Sequence, residues 1–108
     1  MSGSRSQRKG RNAELELCRI LNDHGYPVRA GLPHSYGLEP DLVGLKNIHI
    51  EVKRTEILRL DDAMDQATKD SIRFGDGLPV VFSRRNRCGW LCTMKLKDWL
   101  QMYEGKLK

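Results

Sequence analysis

Two short stretches near the middle of the sequence, Pro40-Asp41 and Glu51-Val52-Lys53, contain the residues best suited to chemistry. Their two carboxylates are ten positions apart, and a tight turn between two strands would bring them to one point. Magnesium prefers hard oxygen ligands and keeps several waters, so Asp41, Glu51 and the backbone carbonyl of Val52 would suffice to hold it. Side chains alternate along a strand, so Glu51 and Lys53 point to the same face. The spacing therefore predicts a divalent metal site with an ammonium group beside it.

A carboxylate-bound cation next to a lysine is suited to phosphodiester hydrolysis. That reaction needs an activated water, neutralisation of the charge that develops on the phosphate, and stabilisation of the departing oxygen. Lys53 could orient the attacking water or stabilise the transition state. Neighbouring carboxylates favour its charged form, so we expect the electrostatic role rather than that of a base. The expected cofactor is Mg²⁺, with Mn²⁺ as a substitute.

Each of these residues also has a simpler explanation. An aspartate after a proline is common in turns. Glu51 and Lys53 could form a same-side salt bridge on an exposed strand. His34 and His49 could contact phosphate, but an isolated histidine on a loop or strand usually does not, so we expect both to lie outside the site. The combination of two acids and a lysine favours the metal site.

The apolar pattern places these residues in a small α/β domain. Helical periodicity predicts helices at 12–25, 60–74 and 96–103, and strand signals predict strands at 26–30, 41–43, 48–52, 79–83 and 90–94, with a loop at 31–37. The α-β-β-β-α-β-β-α order predicts a mixed central β-sheet flanked by helices. Residues 1–9 are expected to be a mobile basic arm and residues 10–108 a single domain. The apolar faces of the first two helices are expected to consist of Leu15, Leu17, Cys18 and Leu21, and of Ala63, Met64, Ala67 and Ser71.

The motif Pro40-Asp41 with Glu51-Val52-Lys53 resembles the signature of the PD-(D/E)xK nuclease superfamily. Arg8-Lys9-Gly10 followed by Asn12-Ala13-Glu14 is similar to the first helix of archaeal Holliday junction resolvases and phage resolvase-like nucleases, which have an acidic residue at the position of Glu14. Viral-type replication-repair nucleases also have a glutamine after the lysine, matched here by Gln66. The resemblance implies a restriction-endonuclease-like fold and a nuclease activity.

The same resemblance implies roles for two residues outside the motif. Glu14 would be a further metal ligand or would hold a metal-bound water, although it could instead be a first-turn acid favoured by the helix dipole. Gln66 would hold Lys53 or the water in place, although glutamine on a helix is more often simply solvated.

The formal net charge of +5 over 108 residues favours a polyanionic partner. The guanidinium group pairs with phosphate oxygens, which positions a duplex without reading its sequence. So small a chain has no room for a separate base-reading domain, so we expect recognition of branched or duplex DNA by shape. Symmetric cleavage of a four-way junction needs two sites, which favours a C2 homodimer. The candidate DNA-binding residues are Arg8, Lys9, Arg11, Arg54, Arg84, Arg85 and Arg87.

Several other functions are disfavoured. No apolar stretch approaches the roughly 20 residues that cross a bilayer, so membrane insertion is not expected. An odd number of cysteines and no apolar leader favour a reduced, cytoplasmic protein. Cys88 and Cys92 could be zinc ligands, but no second pair accompanies them, and burial as small apolar residues is the simpler expectation.

The sequence therefore favours a magnesium-dependent, structure-selective DNA endonuclease, and the resemblance indicates a phage or prophage Holliday junction resolvase. One alternative is a nuclease of the same superfamily that acts on flaps, nicks or ends. Another is a nucleic-acid-binding module that has kept the fold and lost the activity. The presence of Asp41, Glu51 and Lys53 argues against the second alternative.

Overall fold

The computed structural model describes residues 2–32 and 38–105, and most of them lie in eight regular elements. The element order expected from the sequence is confirmed, and the second and third helices have the expected bounds. The helices are α1 (Ser2–Asp23), α2 (Leu60–Phe74) and α3 (Leu96–Tyr103), and the strands are β1 (Arg29–Ala30), β2 (Leu42–Val43), β3 (Ile48–Arg54), β4 (Leu78–Arg84) and β5 (Leu91–Met94).

The strands form one mixed sheet in the order β1-β2-β3-β4-β5. Only β3 and β4 run parallel, and the other neighbours pair antiparallel. A parallel pair needs a long connection, and α2 provides it. The expected mixed central sheet flanked by helices is therefore confirmed.

The central strands are covered on both faces, as is usual for a parallel pair with a crossover helix. One face packs against α1 and contains the main core. The other face packs against α2 and contains a smaller core. The buried residues of the main core are Ala13, Leu17, Val28, Leu42, Ile50, Val52, Val80 and Phe82, and those of the smaller core are Ala63, Ala67 and Val81.

Alternation along β3 decides which side chains meet α2. Ile50 and Val52 belong to the main core on the α1 side. His49, Glu51 and Lys53 therefore face α2. The polar residues of the motif lie on the face with the smaller apolar core, which leaves room for charged groups.

The first helix differs from expectation at its start. Its backbone is helical from Ser2, so residues 2–9 continue the helix rather than form a separate arm, and the helix does not begin at Asn12, the first residue of the expected range. Residues 2–9 contain no proline, and the preference for asparagine at a helix start, about 1 kcal/mol, does not end a helix that can extend. Leu15 is exposed, whereas the stripe through Ala13, Leu17 and Leu21 packs against the sheet.

The turn between α2 and β4 depends on two glycines. Gly75 adopts the left-handed conformation with φ of 60° and donates its N–H to the Ser71 carbonyl at 2.8 Å. Gly77 has φ of 135°, and a Cβ there would lie 2.1 Å from the carbonyl carbon of Asn47. The chain therefore reverses tightly against the start of β3, which brings Asp76 beside that strand.

Residues 33–37 of the expected loop, and with them His34, lie outside the described residues. The first expected strand is reduced to Arg29–Ala30. No helix within the described part of the chain is both long enough and apolar enough to cross a membrane.

Candidate active site

The two acids of the motif are brought together by the pairing of β2 with β3. Leu42 lies opposite Ile50 in this antiparallel pair, so Asp41, one residue earlier, comes opposite Glu51. The Asp41 carboxylate accepts a hydrogen bond from the backbone N–H of Val52 at 2.8 Å. Since β2 begins only at Leu42, this bond takes the place of a strand partner and fixes Asp41 beside β3.

The charges at this point are not balanced. Burial, and then the negative charge of Glu51, raise the pKa of Asp41 to about 7, despite the hydrogen bond from Val52. Burial also raises the pKa of Glu14, and the Arg11 guanidinium offsets only part of this effect. Three carboxylates therefore share a small region with too little positive charge, which is the environment that a divalent cation with oxygen ligands would stabilise.

Glu14 enters this region from α1. Its carboxylate lies 3.6 Å from the Arg11 guanidinium, and the charge of Glu51 acts on it. Arg11 also donates to the Gly31 carbonyl at 2.7 Å, so it ties α1 to the end of β1. Its guanidinium is engaged within the protein, which limits its value as a phosphate contact.

Lys53 lies at the end of the same face of β3 and donates from Nζ to Gln66 Oε1 at 2.8 Å. Gln66 lies in α2 and presents its amide oxygen to the ammonium group. The structure thus brings these two residues together. This contact restricts the position of the ammonium group, whose charge acts on Asp41.

Three polar residues outside the expected site form a network with Glu51: His49 and Asp70 adjoin it, and Asp76 contacts the far side of the His49 ring. His49 is fully buried, and its Nε2 lies 3.1 Å from Glu51 Oε1. Its Nδ1 lies 2.8 Å from a carboxylate oxygen of Asp76. Ligand atoms of His49, Glu51 and Asp70 all lie within 4.8 Å of one another. The signal in the sequence was spacing, since His49, Glu51 and Lys53 alternate on β3 while Gln66 and Asp70 are four apart on α2.

These contacts also shift ionisation. Burial lowers the pKa of His49, but its contacts with Glu51 and Asp76 outweigh this, so the net shift is upward. Burial raises the pKa of Asp70, and the charge of Glu51 raises it further. Glu51 is therefore at the centre of the polar network, with carboxylates on two sides and an imidazole ring on a third.

The candidate DNA-binding residues fall into two groups. Arg54 contacts Glu56 at 3.1 Å and also Asn86, while Arg84 donates to Glu16 at 2.6 Å. Arg85 and Arg87 are exposed, and neither side chain forms an ion pair or hydrogen bond with the rest of the described chain. Arg85 and Arg87 are therefore better placed to contact phosphate than Arg54 and Arg84 are.

Arg8 and Lys9 lie within α1, and Arg8 is exposed. The cysteines do not match expectation, because Cys88 and Cys92 are exposed rather than buried. Cys92 lies on β5, an edge strand that has only β4 as a neighbour. An edge strand lacks a neighbouring strand along one side, which leaves it more open to solvent.

No family model matches this sequence, and no curated protein matches it. Among solved structures, the fold is similar to that of Hjc, a Holliday junction resolvase from the archaeal hyperthermophile Archaeoglobus fulgidus. The TM-score is 0.59, the sequence identity is 25%, and the alignment covers 80% of this chain and 72% of Hjc.

The chain has a restriction-endonuclease-like fold, as the mixed sheet and this match together establish. The resemblance to PD-(D/E)xK nucleases seen in the sequence is confirmed by the similarity to Hjc, which supports a resolvase-like nuclease.

Proposed function

We propose that this protein is a metal-dependent, structure-selective DNA endonuclease, and specifically a Holliday junction resolvase of the phage type that the sequence resembles. The observation that carries the proposal is the convergence of Asp41, Glu51 and Lys53 on a fold similar to that of Hjc. Neither the three side chains nor the fold would suffice alone, since folds host many functions and short motifs recur by chance.

Asp41, Glu51 and the carbonyl of Val52 would hold Mg²⁺, with Mn²⁺ as a substitute, and Glu14 would be a further ligand or would hold a bound water. Mg²⁺ suits an all-oxygen set of this kind, and when bound it would lower the pKa of a coordinated water and neutralise charge on the phosphate. The environment of Asp41 supports the assignment, because burial and then the charge of Glu51 raise its pKa, and a bound cation would favour the ionised carboxylate against both effects.

Lys53 would stabilise the negative charge that develops on the scissile phosphate. Gln66 accepts a hydrogen bond from its ammonium group at 2.8 Å, which restricts the positions that the charge can take. A preorganised charge needs no rearrangement during the reaction, which is where electrostatic stabilisation is most effective. The same contact leaves two ammonium protons free for phosphate or water.

DNA would lie across the face that contains Lys53 and the turn after β4. Arg85 and Arg87 are exposed in that turn, and Arg8 is exposed on α1. Contacts from arginine to phosphate position a duplex without reading its sequence. We therefore assign selectivity to the shape of branched DNA rather than to a base sequence.

A homodimer would supply the two sites that paired cuts require. In α3, Leu96, Trp99, Leu100 and Tyr103 recur at helical spacing but are 69%, 45%, 40% and 77% exposed, while Asp98 is buried. A surface helix normally turns its apolar stripe inward. The outward stripe, together with Leu91 on β5, defines a C-terminal apolar surface that we propose as the dimer contact.

The function can be tested with purified protein and end-labelled substrates in Mg²⁺ or EDTA. The substrates are a four-way junction, a flap, a linear duplex and single-stranded DNA. Paired symmetric nicks in the junction, dependent on Mg²⁺ and abolished by Asp41→Asn, are the expected result. Cleavage of the flap alone would identify the other nuclease class, and binding without cleavage by either protein would identify an inactive module.

A further inference from the structure

His49 occupies a position where an apolar residue would be expected. It lies in a central strand that pairs parallel with β4, and such strands are usually continuous apolar runs. The residue is 0% exposed, and the Phe74 ring stacks near its ring with centroids 6.2 Å apart. A buried polar ring between a sheet and a helix needs partners for both nitrogens.

Both partners are carboxylates. Nδ1 lies 2.9 and 2.8 Å from the two oxygens of Asp76, and Nε2 lies 3.1 Å from Glu51 Oε1. Both ring nitrogens thus lie within hydrogen-bond distance of a carboxylate, and the ring donates to both carboxylates when it carries a proton on each nitrogen. In that state His49 has no lone pair for a metal ion. In Glu51, by contrast, only one of the two carboxylate oxygens, Oε1, contacts the ring.

The arrangement follows from three local features. Alternation on β3 directs His49 and Glu51 toward α2. The left-handed Gly75 ends α2 and reverses the chain, and the close approach of Gly77 to Asn47 fixes Asp76 at the start of β3. Asp76 is therefore held by the turn on one side of His49, while Glu51 lies on the other.

We propose that His49 is a positioning residue which, anchored by Asp76, holds the Glu51 carboxylate ready to bind the divalent cation. The proposal rests on the metal site proposed above and adds an Asp76-His49-Glu51 chain to it. Metal ligands are commonly oriented by such outer hydrogen bonds, and their loss typically weakens metal affinity about 10–100-fold.

A purely structural role is the competing explanation. Buried polar networks are seldom the most stable choice, since well-packed apolar residues of similar volume are often as stable or more so. If His49 only filled space, replacement by leucine would leave metal affinity unchanged. If it positions Glu51, the same replacement would weaken metal binding even where the fold stays intact.

The test measures Mn²⁺ affinity by calorimetry on full-length protein without DNA, with thermal unfolding in EDTA run in parallel. His49→Leu is expected to weaken Mn²⁺ binding about 10–100-fold, and Asp76→Asn to weaken it less. His49→Gln keeps a side-chain donor and is expected to retain most of the affinity. Phe74→Leu changes the packing of the same ring without touching either hydrogen bond and is expected to bind as the wild type does.

The outcomes separate the two proposals. If the wild type binds Mn²⁺, Asp41→Asn does not, and His49→Leu and Asp76→Asn both bind as tightly as the wild type, the positioning role is wrong while the metal site stands. If the wild type itself binds no Mn²⁺, the proposed function fails and the positioning role with it. If His49→Leu does not fold, the Mn²⁺ affinity of Asp76→Asn alone decides whether the positioning role holds. The Asp76 side chain is 27% exposed and therefore tolerates substitution better.

Discussion

Asp41 keeps a proton in the folded protein that an aspartate in water would lose near pH 4. Burial, and then the charge of Glu51, raise its pKa from 3.8 to about 7. Between these two values the folded state binds more protons than the unfolded state, so the free energy of unfolding falls as pH rises. The metal-free protein should therefore become less stable from about pH 4 to pH 7 through this residue.

Asp41→Asn should flatten this part of the pH profile and raise stability at pH 8 by about 2 kcal/mol, because the amide does not ionise. Urea denaturation in EDTA at several pH values measures both effects. Asp65→Asn, which alters an exposed acid on α2, is the matched control and should leave the profile unchanged. Identical profiles for the wild type and Asp41→Asn would show that Asp41 ionises normally.

Lys53 and Gln66 make a second prediction at the level of single residues. Lys53→Ala should lower kcat about 100-fold or more, because it removes the charge directed at the phosphate. Gln66→Ala should lower kcat about 10-fold with little change in KM, since the charge remains but is less well placed. Single-turnover cleavage of a labelled junction separates kcat from binding.

Lys69→Ala removes an exposed lysine from the same helix and should cleave at the wild-type rate. A Gln66→Ala protein that is unaltered in kcat would mean that the 2.8 Å contact with Lys53 has no part in the reaction.

At the level of elements, the arginines around β4 differ in what they hold together. Arg84 and Trp90 both donate to Glu16, at 2.6 and 2.8 Å, so they join α1 to β4 and the residue preceding β5. Arg85 and Arg87 are exposed in the turn between β4 and β5. Arg84 and Trp90 should stabilise the fold, and Arg85 and Arg87 should contact DNA.

The double variant Arg85→Ala/Arg87→Ala should bind a junction about 10-fold less tightly and reduce the slope of log affinity against log salt by about 2, with thermal stability unchanged. Arg84→Ala should instead lower the free energy of unfolding by about 1 kcal/mol, because it leaves Glu16 with one fewer hydrogen-bond donor. Filter binding at several salt concentrations, with calorimetry of each protein, distinguishes a loss of DNA contacts from a loss of stability. A double variant with the wild-type salt slope would exclude this turn from the DNA interface.

The sequence predicted a structural feature where the pattern that specifies it lies in neighbouring residues. The bounds of α2 follow from its own apolar stripe and from Gly75, so periodicity was enough. The pairing of Asp41 with Glu51 followed from a short turn between two strands. The contact of His49 with Asp76 could not be predicted from the sequence. It depends on how far α2 advances along β3 and on the turn at Gly77, and no local sequence pattern specifies either.

The whole molecule is small for the proposed task of cutting a branched substrate twice. A chain of 108 residues forms a modest core, and the described part of one copy contains one candidate site. The C-terminal apolar surface, defined above on α3 and Leu91, would cover its exposed residues if it met a second copy. A two-fold contact of this kind would also fix the separation of two sites.

Charged residues on the C-terminal apolar surface should therefore convert a dimer to a monomer. Leu96→Lys combined with Tyr103→Lys is expected to halve the mass measured by light scattering, because two exposed apolar side chains would be replaced by like charges facing their symmetry mates. Ile72→Lys alters an equally exposed apolar residue on α2, 77% exposed, and should leave the mass unchanged. The monomer should also nick junctions singly rather than in symmetric pairs. A double variant that keeps the wild-type mass would place the contact elsewhere, and a wild type that is itself monomeric would remove the basis for paired cutting by a homodimer.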